Sequence, residues 1–450
     1  MSKESNGKLS KLTIGSYAMS YGSGYQIMGS LVGSYLMVFM TDTFGIPAAA
    51  VGVIMVLASI WDAINDPMMG VLADKTKTRF GKYRPYFLFV PALLTVVVVL
   101  LFSCPNLSDT GKIIWTGVFY IGYGMLRTAI EIPCNALINA VTNQETERQK
   151  MISAYSLVMG IFTTITTSFA LSAVSLFGGE NTAKGYMIVV GFAGVLMTVS
   201  CLICFFSTEE KYIVETERIP FIQQMKNLIN VKGLVTTVII WLGGYIAYNI
   251  MMGSSVYYVM YCLCRPDLIS LYMMIVSVSG LIGILAMIPI FMRLFHSVKK
   301  GFMVSQICTI ACNAVCLLGS KSLPVIFIFS GLASLFATMF MVFGSMLMTE
   351  LSDMTYYQTG RTMNGTIAAL KGFTNKCGIA ASSGIISAVL AATGYVANAI
   401  GQEPQATVTG ITLVRFLCPL ILTGIVAIAL IFYPITDEIK KNFKDLYNKS

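Results

Sequence analysis

Asp62, Asp66 and Glu131 lie in stretches that are otherwise strongly apolar, IWDAINDPMMG and RTAIEIP. An ionisable group inside hydrocarbon costs several kcal/mol, so such a group is a functional candidate by default. Asp62 and Asp66 are four residues apart and share one helix face. Asn65 stands beside them, and Pro67 removes a backbone donor. Glu131 is followed by Pro133 and preceded by Thr128 at one helical turn. The three acids fall at similar depth in their runs, so they are expected to converge. Carboxylate, amide and hydroxyl oxygens suit a hard cation, and three like charges in a low dielectric repel unless a cation or proton joins them. The expected cation set is Asp62, Asn65, Asp66, Thr128 and Glu131. The competing reading is helix-holding ion pairs, with Arg127 four residues before Glu131 and Lys376 in a later apolar run. It pairs one or two acids and leaves a third, and the two readings are compatible.

Helices must carry these residues, and the composition says where. Of 450 residues, 56% are hydrophobic and 11% charged, against about a quarter charged in soluble domains; mean hydropathy is +0.75. A soluble enzyme, a nucleic-acid module and a disordered scaffold are disfavoured. A hydrocarbon core about 30 Å thick needs roughly 20 apolar helical residues. Twelve such runs are read at 12–39, 46–73, 83–104, 112–140, 150–177, 185–207, 234–262, 268–292, 302–319, 323–350, 362–393 and 409–433. The runs are too long and unbroken for barrel strands. The start, MSKESNGKLSKL, is polar and basic, and no cleavable signal is evident. With the N-terminus inside, cytoplasmic segments hold 22 Lys and Arg and external loops only Lys112, Lys184, Arg265 and Lys321, as the positive-inside rule demands. Arg127, Lys371, Lys376 and Arg415 remain within spans. The longest polar stretch follows span six. The expected organisation is an N-terminal six-helix bundle with the cation site (1–207), a cytoplasmic middle loop (208–233), a C-terminal six-helix bundle (234–433) and a cytoplasmic tail (434–450). That is an all-α membrane protein of the major facilitator fold, with both termini cytoplasmic.

Other chemistries lack residues. The net charge of +9 follows the membrane topology and implies no nucleic acid. The 11 cysteines, including Cys201, Cys204, Cys308, Cys312 and Cys316, sit mostly in apolar runs and read as packed thiols. His296 is the only histidine and falls in a loop, so no His-Glu-x-x-His metal site exists. No Gly-rich phosphate loop follows a strand, so no ATP site and no cofactor are expected, and any driving energy must come from an ion gradient.

IWDAINDPMMG followed by DKTKTRFGKYRPY closely resembles the second helix and following loop of the glycoside-pentoside-hexuronide:cation symporters, the melibiose permease-like family. GYGMLRTAIEIP resembles that family's fourth helix, AYNIMMGSSVYYVMYC its seventh, and TGRTMNG with Lys376 its loop and helix eleven. The likeness runs from Thr13 to about the twelfth span. It implies glycoside uptake coupled to Na+, Li+ or H+ across a bacterial cytoplasmic membrane, by a chain expected to work as a monomer in the lipid bilayer. It places Asp62 and Asp66 at the paired cation-site aspartates, with Asn65 and Thr128 accompanying. Glu131 matches an acid serving sugar binding beside the cation, and Lys376 the lysine linking helix eleven to this cluster. The departures concern the sugar. Gln26 replaces a helix-one aspartate, Ser156 an arginine, Asn135 and Gly344 two tryptophans, and Arg127 a tyrosine; Tyr356 stands where a second acid follows Asp353. A melibiose-like galactoside is therefore not expected.

Two roles fit Arg127. A guanidinium reads carboxylate bidentately, which points to an anionic glycoside such as a hexuronide held by Arg127 and Lys376; equally, Arg127 neutralises Glu131. Gln26, Tyr25 and Asn249 complete the expected substrate contacts, and Tyr248 and Tyr257 are further aromatic candidates. Asp74, Arg79 and Arg84 at the inner end of helices two and three, with Glu350, Asp353 and Arg361 opposite, are the expected inner gate, besides anchoring the chain by charge. The reading is a cation-coupled symporter working by alternating access. Its rivals are an uncoupled facilitator or exporter of another solute, and a non-transporting sensor of the same fold.

Overall fold

Long apolar runs in lipid must satisfy every backbone N–H and C=O internally, and helices do so without partners. The computed structural model, which describes residues 9–212, 228–229, 231–319, 322–359 and 363–435, is accordingly helical. Among the described residues there is no strand, only a bridge between Thr78 and Gly81. Eleven described helices or helix runs are long and apolar enough to cross a membrane. A further crossing is split: α1 (Lys11–Gly22), α2 (Gly24–Val38) and a π turn Phe39–Thr43 follow one another. The break at Ser23 has a packing cause. A side chain on Gly22 would overlap Val158, and one on Gly24 would overlap Ala193 and Met197. The two glycines let this helix touch its neighbours backbone to backbone.

The remaining helices of the first half are α3 (Ala48–Lys75), α4 (Arg84–Leu101), α5 (Asp109–Val141), α6 (Glu145–Gly178) and α7 (Thr182–Ser207). The second half holds α8 (Leu234–Tyr257), α9 (Ile269–Ile282), α10 (Ile288–Phe295), α11 (Val298–Leu318), α12 (Leu323–Thr359), α13 (Asn364–Ala392), α14 (Gln405–Thr412) and α15 (Cys418–Ile431). Further π turns at Tyr258–Cys262, Gly283–Met287 and Leu413–Leu417 join or extend them. The chain divides into two compact units, Met1–Thr216 with Asp267–Met274, and Glu217–Pro266 with Ile275–Ser450.

In the first unit α3 packs on α5, α4 on α7, and α1 on α6 and α7. Met69, Ala73 and Ala129 form a small core below the acids. In the second unit α8 packs on α13 and α15, and the core gathers Trp241, Phe302, Phe340 and Phe343. The cysteines are all free, and most are buried or half-buried.

The cytoplasmic turn before α4 is a clamp. Gly81 takes φ +107°, a conformation that favours glycine, and Thr78 Oγ1 donates to its carbonyl at 2.8 Å. The N–H groups of Lys82, Tyr83 and Arg84 then converge on the Glu210 carboxylate, each at 2.8 Å. An anion at a helix N-terminus satisfies donors that the helix cannot. Arg84 returns the contact: its Nε and one NH2 donate to Phe205 O at 3.1 and 2.6 Å, and its guanidinium lies 4.8 Å from the Phe205 ring.

Candidate functional site

α3 and α5 carry the acids in one register. Thr128 Oγ1 donates to Asp66 Oδ1 at 2.8 Å. One turn earlier on both helices, the Asp62 carboxylate rests on the α-carbon of Gly124, where a side chain would overlap it. Both contacts have the same sequence offset, and i, i+4 spacing on each helix aligns them. Asp66 lies nine residues before the end of α3 and Glu131 ten before the end of α5, so the depths agree as expected. Asn65 is buried, 7% exposed, and its Nδ2 has no hydrogen-bond partner among the described residues.

Glu131 does something else. Tyr25 Oη donates to Glu131 Oε2 at 3.0 Å, Arg127 Nε donates to Tyr25 Oη at 3.0 Å, and Arg127 Nε lies 3.7 Å from Glu131 Oε2. Tyr123 Oη is a long 3.5 Å from Arg127 NH1. Tyr21 stacks on Tyr25 with centroids 4.5 Å apart, and on Tyr155 at 4.9 Å. The expected convergence of three carboxylates is thus corrected: among the described residues no three such groups gather as for one metal ion. The cause is local. Arg127 sits one turn away with opposite charge, and Tyr25 supplies a hydroxyl, so Glu131 joins them. Two polar groups result, Asp62–Asn65–Asp66–Thr128 and Tyr25–Arg127–Glu131–Tyr123, and they share α5.

Arg127 and Glu131 side chains are each 41% exposed. The guanidinium spends Nε on Tyr25, and its NH2 has no partner among the described residues, leaving an edge that can take a carboxylate in a bidentate pair.

The other expected residues are placed as follows. Gln26 is half-buried on α2 and makes no side-chain hydrogen bond among the described residues. Asn249 spends its amide on Tyr245 O at 2.8 Å in its own helix, which weakens its candidacy for substrate. Lys376 is half-buried on α13. Tyr257 is buried against Tyr261 and Tyr395. Lys371, also on α13, donates to Ser345 Oγ at 2.5 Å. Gly344 gives its carbonyl to Trp241 Nε1 at 2.9 Å. Of the gate residues, Arg84 is committed within its own unit to Phe205, because Glu210 fixes the turn that carries it; Arg79 is exposed, its guanidinium 4.6 Å from the Phe80 ring. Glu350 is buried and accepts from Tyr433 Oη at 3.1 Å. Asp353 is half-buried on α12. The Asp74 side chain and Arg361 lie outside the described residues. Sequence reasoning missed Gly124, Tyr123, Tyr21 and Glu210. Gly124 stands four residues before Thr128, the spacing of Asp62 and Asp66, and that match was the available signal.

Two helical units carrying intramembrane acids define a secondary transporter, and solved structures agree on the fold. A bacterial homologue of the human lysosomal transporter Spinster, inward-facing and unoccupied, superposes with TM-score 0.68 over 94% of this chain and 95% of that one, at 12% identity. The sequence profile of the MFS/sugar transport protein family matches residues 17–437, and the chain belongs to that family. It is 30% identical to the symporter YnaJ of Bacillus subtilis (strain 168) over 96% of this chain and 94% of YnaJ. It is 30% identical to the isoprimeverose transporter of Lactiplantibacillus pentosus, over 93% and 88%. It is 28% identical to the glucuronide carrier protein homologue of Escherichia coli (strain K12), over 93% and 90%. The protein is a multi-pass integral membrane transporter.

Proposed function

We propose that this transporter couples the entry of an anionic glycoside, of the hexuronide class, to a cation. Asp62 and Asp66 carry the coupling charge, Asn65 and Thr128 add neutral oxygens, and Glu131 belongs to the solute side. Two carboxylates one turn apart in hydrocarbon disfavour closure; Na+, Li+ or H+ relieves that cost. Ion and solute then stabilise the same state, and the linkage is reciprocal. The bundles rock about a midplane site in transporters of this class.

The observation carrying the anionic reading is the posture of Arg127, held on its Nε side by Tyr25 at 3.0 Å with another edge open. The names of two relatives, a glucuronide carrier protein homologue and an isoprimeverose transporter, support the solute class without choosing its charge. Proteoliposomes with imposed Na+ or proton gradients test both halves. We expect gradient-dependent uptake of nitrophenyl glucuronide. Arg127→Ala should abolish it while sparing nitrophenyl glucoside. Equal loss of both solutes removes the anion role and leaves Arg127 as the neutraliser of Glu131. Uptake indifferent to either gradient sinks the symport reading.

A further inference from the structure

Between Asp267 and Glu350 the sequence contains no Asp or Glu. In that stretch α10 ends at His296, whose φ of +52° turns the chain into α11. The turn, RLFHSVKK, presents Arg293, His296 and Lys300, all exposed. Lys299 is used structurally: its Nζ donates to Ile431 O at 3.0 Å and Tyr433 O at 2.9 Å, closing the end of α15.

Beside this turn is a groove of about 510 Å³ whose lining includes Phe295, Met303, Val304 and Ile435 together with Lys299 and Lys300. The excess of cations on this side places the turn at the cytoplasmic membrane surface. An apolar slot lined by Lys299 and Lys300, on a turn that also exposes Arg293 and His296, has the chemistry of a lipid with a negative head and apolar tails. We infer that this groove binds an anionic phospholipid of the cytoplasmic leaflet, its phosphate against Arg293, His296 and Lys300 and an acyl chain along Phe295, Met303 and Val304. The site lies wholly within the second unit and uses none of the acids or tyrosines of the transport reading.

Native mass spectrometry of the full-length protein in detergent, given equal dioleoyl phosphatidylglycerol and dioleoyl phosphatidylcholine, tests this. The wild type should retain more phosphatidylglycerol. The ratio should fall roughly fivefold per cation removed in Arg293→Gln and Lys300→Gln, with Lys299 kept so that α15 stays anchored. Met303→Trp, which fills the slot and keeps the charge, should lower retention of both lipids together. Equal retention of the two lipids by the wild type, or a ratio unchanged in the charge variants, overturns the inference. So does a groove that takes neither lipid until residues 436–450 are removed, since the tail would then be its occupant.

Discussion

Gly124→Ala places one methyl group where the Asp62 carboxylate now rests. The added carbon cannot fit without moving that carboxylate, because α3 and α5 are held in register one turn away by Thr128 and Asp66 at 2.8 Å. Overpacking of this kind costs about 1–3 kcal/mol, which is roughly 5- to 150-fold in an equilibrium constant. If Asp62 holds the coupling ion, the loss falls on ion affinity. The concentration of Na+, or of H+, giving half-maximal uptake should rise by that factor, while the maximal rate at saturating ion changes less. Gly122→Ala is the control on the same helix, since its methyl would meet Val97 at an ordinary 3.6 Å. The assay is uptake in proteoliposomes at fixed solute against a series of ion concentrations. Should Gly124→Ala titrate like Gly122→Ala, Asp62 does not hold the ion and the argument from register is wrong.

Two further outcomes follow from the cytoplasmic and external turns. Glu210→Ala leaves three N–H groups at the start of α4 without their carboxylate, and hydrogen bonds to a charge are worth about 1.5–3 kcal/mol. The apparent melting temperature in detergent should drop, Glu210→Gln should drop it less, and an unchanged value for both would refute the clamp. Cys104 is exposed in the turn after α4, and partial burial pushes its thiol up to about 11. A membrane-impermeant maleimide should label a variant keeping Cys104 alone from outside, about tenfold faster per pH unit from pH 7 to 9 because only the thiolate reacts; labelling only after permeabilisation contradicts the orientation.

The spans were legible because hydrocarbon imposes length and apolarity on each, so reading 234–262 from sequence lands on a crossing of the same bounds. The cut at Ser23 was not, because it depends on Val158, Ala193 and Met197 from helices far along the chain. The pairing of α3 with α5 was foreshadowed by the i, i+4 spacing of the aspartates. The diversion of Glu131 was only half visible: Arg127 at i−4 showed in the sequence, but Tyr25 comes from another helix. Gly124 escaped notice because only its spacing from Thr128 marked it; its role is the room it leaves. The contacts of Arg84 were not legible, because Glu210 and Phe205, more than a hundred positions away, fix the turn that carries it.

Arg127 and Thr128 are neighbours in the chain, yet one faces the tyrosine–glutamate group and the other the aspartates. A helix sets adjacent side chains about a hundred degrees apart, so a single peptide unit spans both groups. A wrench on either residue is felt by the other across that one peptide unit, about 3.8 Å between α-carbons. Calorimetry with the inorganic partner alone, repeated across a library of organic solutes, would therefore rank those solutes without any of them having to cross a bilayer.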